Sequence, residues 1–355
     1  MALTISVPDT LRKSVEAASQ GKNTVLYTAK NQPCYMAVIP KFTVQSIDAS
    51  LGTGTHPAFI VNGVEKDALY IGQYLGISRN AELLSLPGVD PGNSLDHDAF
   101  VSLARANGTG WHVMSNVEWA AVALWAWKNG FQPRGNTNYG KSSDVTTEYG
   151  VRGDGIAPGT ASGNARTQTG SGPTSWRHDN TPFGISDLCG NVWQWTPGMR
   201  MNAGEINIIS NNDAALNATD MAAGSAAWKA IDGATGALVA PGTAGTVKRS
   251  TSASGTADWT IYCGSESAFS GAVNSTGANP VGATALQLLK QHGLYPVASS
   301  NLGGDGYWAD VTGERLPFRG GYWTSGATAG VFALYLATYR GTASASLGAR
   351  PAFVI

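Results

Sequence analysis

Gly184-Ile185-Ser186-Asp187-Leu188-Cys189-Gly190-Asn191-Val192-Trp193-Gln194-Trp195 is the stretch on which the fold turns. Successive side chains of an extended chain point to opposite faces. Trp193 and Trp195 therefore share one strand face and Gln194 takes the other. Read alone, the two tryptophans alternate into a core, because aromatic residues suit a half-buried pleated surface.

Upstream, the sequence predicts two helices. One runs from about Asp96 to Ala106. The other opens at Ser115, whose hydroxyl can cap while Glu118 reaches back, a Ser-x-x-Glu capping box. It continues through Trp119, Val122, Ala123, Trp125 and Ala126 and ends at Gly130. From about Asn136 to Thr181 the chain is Gly, Ser, Thr and Asn with few large apolar residues, a long loop, ordered or partly mobile. Nearer the start, Pro8 and Asp9 open a short helix through Leu11, Val15 and Ala18 that stops at Gly21. Strand-like runs follow at Thr24–Thr28 and Cys34–Ile39, with a turn at Lys30-Asn31-Gln32-Pro33. Residues 1–46 read as a small N-terminal module, or equally as an extension packed on the main domain. Gly52-Thr53-Gly54-Thr55-His56-Pro57 reads as a linker into a strand pair, Ala58–Val61 and Ala68–Tyr74. Within the main domain, residues 47–355, a region of about 200–315 reads as an insertion carrying one helix near Ala283–His292. No repeat of solenoid or propeller period is present.

Composition narrows the function. Of 355 residues 43% are hydrophobic, which allows a sizeable core, but only 13% are charged, against roughly 25% in an ordinary soluble domain. Small polar residues and 45 glycines take their place. The net charge is -1 and there is no basic run, so nucleic-acid binding, which needs clustered Lys and Arg, is not expected. Cys34, Cys189 and Cys263 are far apart and form no Cys-x-x-Cys pair, so neither a zinc knuckle nor a disulfide framework is indicated. Met1 to Pro8 does not read as a secretory signal, and no stretch is long enough to insert in a membrane. The expectation is a protein made in a cytoplasm, with any external role reached by release on a virus particle.

Three ordered motifs carry a resemblance. Gly110-Trp111-His112-Val113-Met114-Ser115-Asn116-Val117-Glu118-Trp119 resembles the helix-opening segment of the formylglycine-generating-enzyme branch of the C-type-lectin fold. Gly184–Trp195 resembles that branch's Gly-Asn-Val-Trp-Glu-Trp signature, and Phe318-Arg319-Gly320-Gly321 with Gly348-Ala349-Arg350-Pro351-Ala352-Phe353 resembles its closing strands. The resemblance covers most of residues 56–355 and implies an α+β, C-type-lectin-like domain with two helices and short antiparallel strands. It does not carry the enzyme's chemistry. The copper-binding enzymes use a late cysteine pair, whereas the last cysteine here is Cys263. The related iron-dependent sulfoxide synthases group their histidines, whereas His56, His97, His112, His178 and His292 are scattered. Asp96-His97-Asp98 reads as a solvated helix start, because adjacent helical residues point in different directions. No Gly-x-Ser-x-Gly elbow or Walker loop is found. The Glu-Pro-Asn, Gln-Pro-Asp and Trp-Asn-Asp tripeptides of calcium-dependent lectins are missing too, and Gln194 replaces the signature's charged residue. No catalytic residue, metal or cofactor is therefore expected.

Arg319 to Arg350 resembles the variable region of target proteins of diversity-generating retroelements, in which adenines of Asn-rich codons are randomised during reverse transcription. The framework of that region stands at Arg319, Gly320, Gly321, Trp323, Gly326, Ala329 to Leu334, Leu336, Arg340, Gly348 and Arg350. Tyr322, Thr324, Ser325, Thr328, Tyr335, Ala337, Thr338, Thr342, Ser344 and Ser346 occupy positions where Asn is typical, and Gly341 and Ala343 positions where Ser is typical. Tyr339 borders this ligand-binding set, as does Ala345. Alternation in Val331–Leu336 sends Phe332, Leu334 and Leu336 to one face and Ala333 and Tyr335 to the other. The bulky apolar residues thus sit between the variable positions rather than on them. That matters, because losing a large core side chain destabilises by roughly 2–5 kcal/mol.

The resemblance implies a non-enzymatic receptor-binding protein at a phage tail-fibre tip. Its variable tail would bind a bacterial cell-surface receptor, protein or glycan, and its N-terminal module would serve oligomerisation, as a homotrimer, or attachment to the virion. The rivals are a bacterial or prophage variable protein of unknown ligand and a metal-dependent oxidase or sulfoxide synthase of the same fold.

Overall fold

A computed structural model describes residues 9–355 and shows an α+β chain. Helix α1 (Thr10–Ser19) starts where the Asp9 carboxylate accepts from Arg12 N at 3.0 Å. Pro8, expected to help open it, and the rest of Met1–Pro8 lie outside the described residues. Strands β1 (Asn23–Tyr27), β2 (Pro33–Pro40) and β3 (Ala68–Gly72) follow, then α2 (His97–Ala106), β4 (Trp111–Val113) and α3 (Asn116–Lys128). Both expected caps are made. Asp96 accepts from Ala99 N at 2.8 Å, and at Ser115 the capping box closes in both directions. Glu118 is fully buried because it serves twice. It also accepts from Asn212 Nδ2 at 2.9 Å and lies 2.9 Å from His112 Nε2, so the buried carboxylate is fully partnered. Then come β5 (Trp193–Trp195), β6 (Met199–Asn202), β7 (Glu205–Ile209) and α4 (Ala283–Gln291). The chain closes with β8 (Gly306–Ala309), β9 (Glu314–Gly320), β10 (Gly330–Thr338), β11 (Leu347–Gly348) and β12 (Pro351–Phe353).

One antiparallel sheet runs β1-β2-β3-β12-β4. It joins both ends of the described chain, and β1 and β2, from within residues 1–46, pair into it. Strand β2 is internal to the sheet, with Met36 opposite Gly72, and Cys34 and Met36 are fully buried with Trp111. Detaching residues 1–46 would strip this ladder and bare that apolar face. The strand pair expected at Ala58–Val61 and Ala68–Tyr74 differs. Pro57, which lacks an N–H and fixes φ, starts a short 3-10 turn, and Ile60–Val61 pairs with Val64–Glu65 instead.

The larger sheet contains β8, β10, β9, β6 and β7 as neighbours, with β5 paired to β9 and β11 to β5. Residues 200–315 are woven into it through Met201 opposite Arg315. Helix α3 lies beneath, almost wholly buried, and Trp119 Nε1 donates to Val331 O at 2.7 Å. The stretch from Asn136 to Thr181 contributes only isolated bridges and one 3-10 turn. It is cross-braced by Arg152, which donates to Asp154, Thr160 O and Ser162 O. Among the described residues no helix is long and apolar enough to cross a membrane.

Candidate variable-region cavity

The framework of the tail is set by two buried arginines and two glycines. Arg350 donates to Gln194 Oε1 at 3.1 Å, Gly72 O at 2.8 Å and Ser186 O at 2.6 Å. Gln194 in turn donates to Asp187 O at 2.7 Å, so the residue that departs from the family signature is a link between motifs. Arg319 donates to Asn116 Oδ1 at 2.9 Å and Gly293 O at 2.8 Å. Burial lowers both guanidinium pKa values to about 9. Gly320 and Gly321 have φ of 93° and 89°, and a Cβ on them would stand 2.7 Å from Leu188 O and 2.5 Å from Ala329 Cβ. Only glycine fits there.

Between these anchors, β10 alternates as expected. Phe332, Leu334 and Leu336 enter the core shared with α3, while Ala333 packs with Trp193, Trp195 and Phe318 on the opposite face. Pairing with β9 is not regular. Phe318 lies opposite Tyr335 and Leu316 opposite Thr338, so two steps on β9 match three on β10. This bulge turns Thr338 to the same side as Tyr335, against strict alternation.

A shallow cavity of about 520 Å³ opens on that side. Its floor is aromatic. The Phe318 and Tyr335 rings are parallel within 8° at 4.6 Å, and Trp193 stands 5.6 Å from Trp308 and 5.7 Å from Tyr335. Tyr322 stacks on Trp193 at 6.4 Å. Thr324, Ser325 and Thr328 form one wall, and Thr338, Thr342, Ser344 and Ser346 the other. Tyr322 and Tyr335 are half-buried at the floor, with one side of each open to the cavity. Burial raises the Tyr335 phenol pKa, with Glu266 nearby adding to the effect.

The two wall loops are held through main-chain atoms. Tyr139 N donates to Trp323 O at 2.7 Å, and Gly326 N to Thr137 O at 3.0 Å. In the other loop Ser344 O accepts from Ser94 N, and Ser346 O from Trp193 N, each at 2.9 Å. Arg166 reaches Ala345 O at 3.1 Å. Wall side chains bond one another, as in Thr338 Oγ1 to Thr342 Oγ1 at 3.0 Å and Ser344 Oγ to Ser346 Oγ at 3.1 Å, and also their own loops, as where Ser325 Oγ accepts from Tyr322 N at 3.0 Å and Thr328 Oγ1 donates to Ser325 O at 2.7 Å.

The remaining expected positions lie outside the cavity lining. Gly341 and Ala343 are exposed and Ala337 is half-buried next to the bulge. Tyr339, 61% exposed, lies under the Arg315 guanidinium at 4.0 Å and accepts from Arg315 Nη2 at 3.2 Å. Trp308 is the floor residue that the sequence analysis did not single out. In Gly306-Tyr307-Trp308-Ala309 the alternation buries Tyr307 and leaves Trp308 half-open, a period-two signal. Its place beside Tyr335 depends on parallel pairing of β8 with β10, which no local pattern announces.

The expected solvated helix start at Asp96-His97-Asp98 is corrected in part. Asp96 caps, but His97 is buried edge-on against Trp195 at 5.7 Å, and its Nδ1 lies 2.7 Å from Asp98. Arg340 joins Asp98 to Glu314, and with His97 these contacts lower the Asp98 pKa to about 2. Among the described residues no group of three or more His, Cys, Asp and Glu side chains is placed to hold a metal. All three cysteines are free and buried, and burial pushes the Cys34 thiol up to about 12.

No family model and no curated protein matches the chain. Two solved structures to which it is similar are a variable protein and a tropism determinant. Treponema denticola variable protein 1 shares 12% identity over 94% of this chain and 99% of that one, at a TM-score of 0.36. The Major Tropism Determinant U1 variant shares 13% identity over 90% of this chain and 63% of that one, at a TM-score of 0.33.

Proposed function

We propose that this chain is a ligand-binding variable protein of a diversity-generating retroelement, and that the cavity between Trp193 and the tail loops is its recognition surface. The observation that carries the reading is a division of labour within Arg319–Arg350. Nine of the positions marked by the sequence as interchangeable line one concavity, whereas Arg319, Trp323, Val331 to Leu334, Leu336 and Arg350 are buried. The bonds that tie the wall loops to the rest of the domain run through the loops' backbone groups and do not depend on the identity of the wall side chains, so replacement there is tolerated. Tyr supplies large contact area with few torsions to freeze, and Ser, Thr and Gly adapt around it. Tyr339, Gly341 and Ala343 extend the surface beyond the cavity, and Thr338 is the least accessible of the set.

The role that fits this surface is that of a phage tail-fibre receptor-binding protein, working as a homotrimer and recognising a bacterial surface ligand. Many copies on a fibre raise weak single-site affinities through effective concentration. Binding rather than catalysis is then the activity. Because β1 and β2 pair into the five-stranded sheet, the described part of residues 1–46 would serve oligomerisation or attachment from a position packed on this domain.

Replacing Thr324, Thr342, Ser344 and Ser346 together by Asn tests the reading. Purified wild type and variant are compared for thermal unfolding and for binding to a panel of bacterial strains. The expected result is an unfolding midpoint within a few degrees of wild type and a changed strain range. Unchanged strain binding, or a variant that no longer folds, would contradict it.

A further inference from the structure

The variable walls stand on a floor of five rings, three of which lie outside the variable positions. Trp193, Trp308 and Phe318 lie on β5, β8 and β9, outside Arg319–Arg350, so any retained tail is built over the same rings. Trp308 is not spent on the core. Tyr307 and Ala309 on either side of it are buried while the indole stays half-open under the cavity. An aromatic ring left open at the base of a concavity is a contact surface in search of a partner.

The chemistry of that partner is narrow. Among the described residues, none of the side chains lining the cavity carries a charge. A carboxylate entering here would lose hydration without gaining a counter-charge, and Glu266, near Tyr335 but exposed and outside the lining, offers an ammonium only a solvent-screened partner. The walls offer hydroxyls in close pairs, Thr338 with Thr342 and Ser344 with Ser346. Each hydroxyl has one donor and two acceptor sites, so a bonded pair still has capacity for a ligand. Adding a peptide as an extra strand needs a free sheet edge. At the cavity β10 is paired on both sides, to β8 and β9, and β9 to β10 and β5. A ligand with an apolar C–H face and a periphery of neutral hydroxyls matches both floor and walls.

We propose that Trp308, Trp193 and Phe318 form a constant subsite for an uncharged sugar ring, shared by all tail variants, while the walls select which neutral glycan carries that ring. The proposal rests on the recognition reading above and adds the ligand class. The half-open Trp308 indole stacks against the sugar's C–H face with buried Trp193 and Phe318 holding the floor in place, and the hydroxyl walls bond its edge.

The test titrates the full chain with maltotriose, cellotriose and chitotriose, and with the charged trimers of galacturonic acid and glucosamine, following tryptophan fluorescence and heat. At least one neutral trimer is expected to bind and both charged trimers to fail. Trp308→Ala should weaken that binding about tenfold or more, and Trp308→Phe should restore most of it. If Trp308→Ala does not fold, Trp308→Leu, which keeps bulk and removes the π face, takes its place. The same loss should appear in the chain carrying Asn at Thr324, Thr342, Ser344 and Ser346, whatever neutral trimer that chain prefers. Binding of a charged trimer in preference, or failure of every neutral trimer, overturns the ligand class. If the wall variant changes ligand preference but Trp308→Ala changes nothing, the constant subsite is wrong and the recognition reading stands. If neither alters binding, both fall.

Discussion

At the residue scale the tail separates into side chains that hold and side chains that face outward. Phe332 and Leu334 fill the core, so alanine at either is expected to destabilise by about 2–5 kcal/mol. Alanine at Thr324 or Ser344 should stay within about 0.5 kcal/mol of wild type. Urea unfolding of the single variants measures both. Arg350 belongs with the holders. Arg350→Met leaves Gln194 Oε1, Gly72 O and Ser186 O without their buried donor, a loss of about 3 kcal/mol or more. Asp305 is a different kind of residue. Its carboxylate accepts from Phe332 N at 2.6 Å at the start of β10, and burial raises its pKa to about 8. A carboxyl whose folded pKa lies above its unfolded one binds more protons folded, so it lowers stability as pH rises from about 4 to about 8. Asp305→Asn, which keeps an acceptor for Phe332 N, is expected to stabilise at pH 8 and to change little at pH 4. Equal effects at both pH values would show that the proton is not the cause.

At the element scale, what was legible in the sequence was what local chemistry decides. Asp96 and Ser115 announce their helices because a capping side chain acts within three residues, and Ser115→Ala should cost about 1 kcal/mol of unfolding free energy. The faces of β10 were legible because period-two alternation is local too. The bulge opposite Phe318 was not, and it decides that Thr338 faces the cavity rather than the core. Deleting Ala337, the residue in excess at the bulge, is expected to restore regular pairing and leave Thr338 two positions from Tyr335, so still on the cavity face with binding kept. Amide exchange across β9 and β10, read together with ligand binding, checks this. Trp308 escaped for the same reason as the bulge. Its neighbour in space is supplied by a strand more than twenty residues further along the chain.

At the scale of the whole molecule, the sheet that β1 and β2 join was not legible because sheet membership is a long-range property. The alternation in Cys34–Ile39 reads as a strand, but nothing in it states that the partner is β3, or that β12 closes the same sheet. Stability against pH is also a property of the whole. His56, His178 and His292 are buried, and burial lowers their pKa values to about 3, 4 and 4. A histidine with a depressed folded pKa binds fewer protons folded than unfolded, so its contribution is intact above about 6.5 and is lost as pH falls toward 4. Asp305 acts in the opposite sense up to about pH 8, but three groups outweigh one below 6.5. The unfolding midpoint in urea should therefore peak near pH 6.5 and drop steeply on the acid side. A midpoint still rising as the pH falls from 6.5 to 4 would refute this balance.

The central claim is that replaceable and irreplaceable positions divide along the wall of one cavity. A displayed library settles it, with Thr324, Ser325, Thr328, Thr342, Ser344 and Ser346 fully randomised in one pool and Phe332, Leu334, Leu336, Arg319 and Arg350 in another. Protease survival is then scored by sequencing. The wall pool should survive in most of its members with little residue preference, and the framework pool only where the original residues or close relatives return. Wall positions as intolerant as Phe332 and Leu334 would contradict the claim.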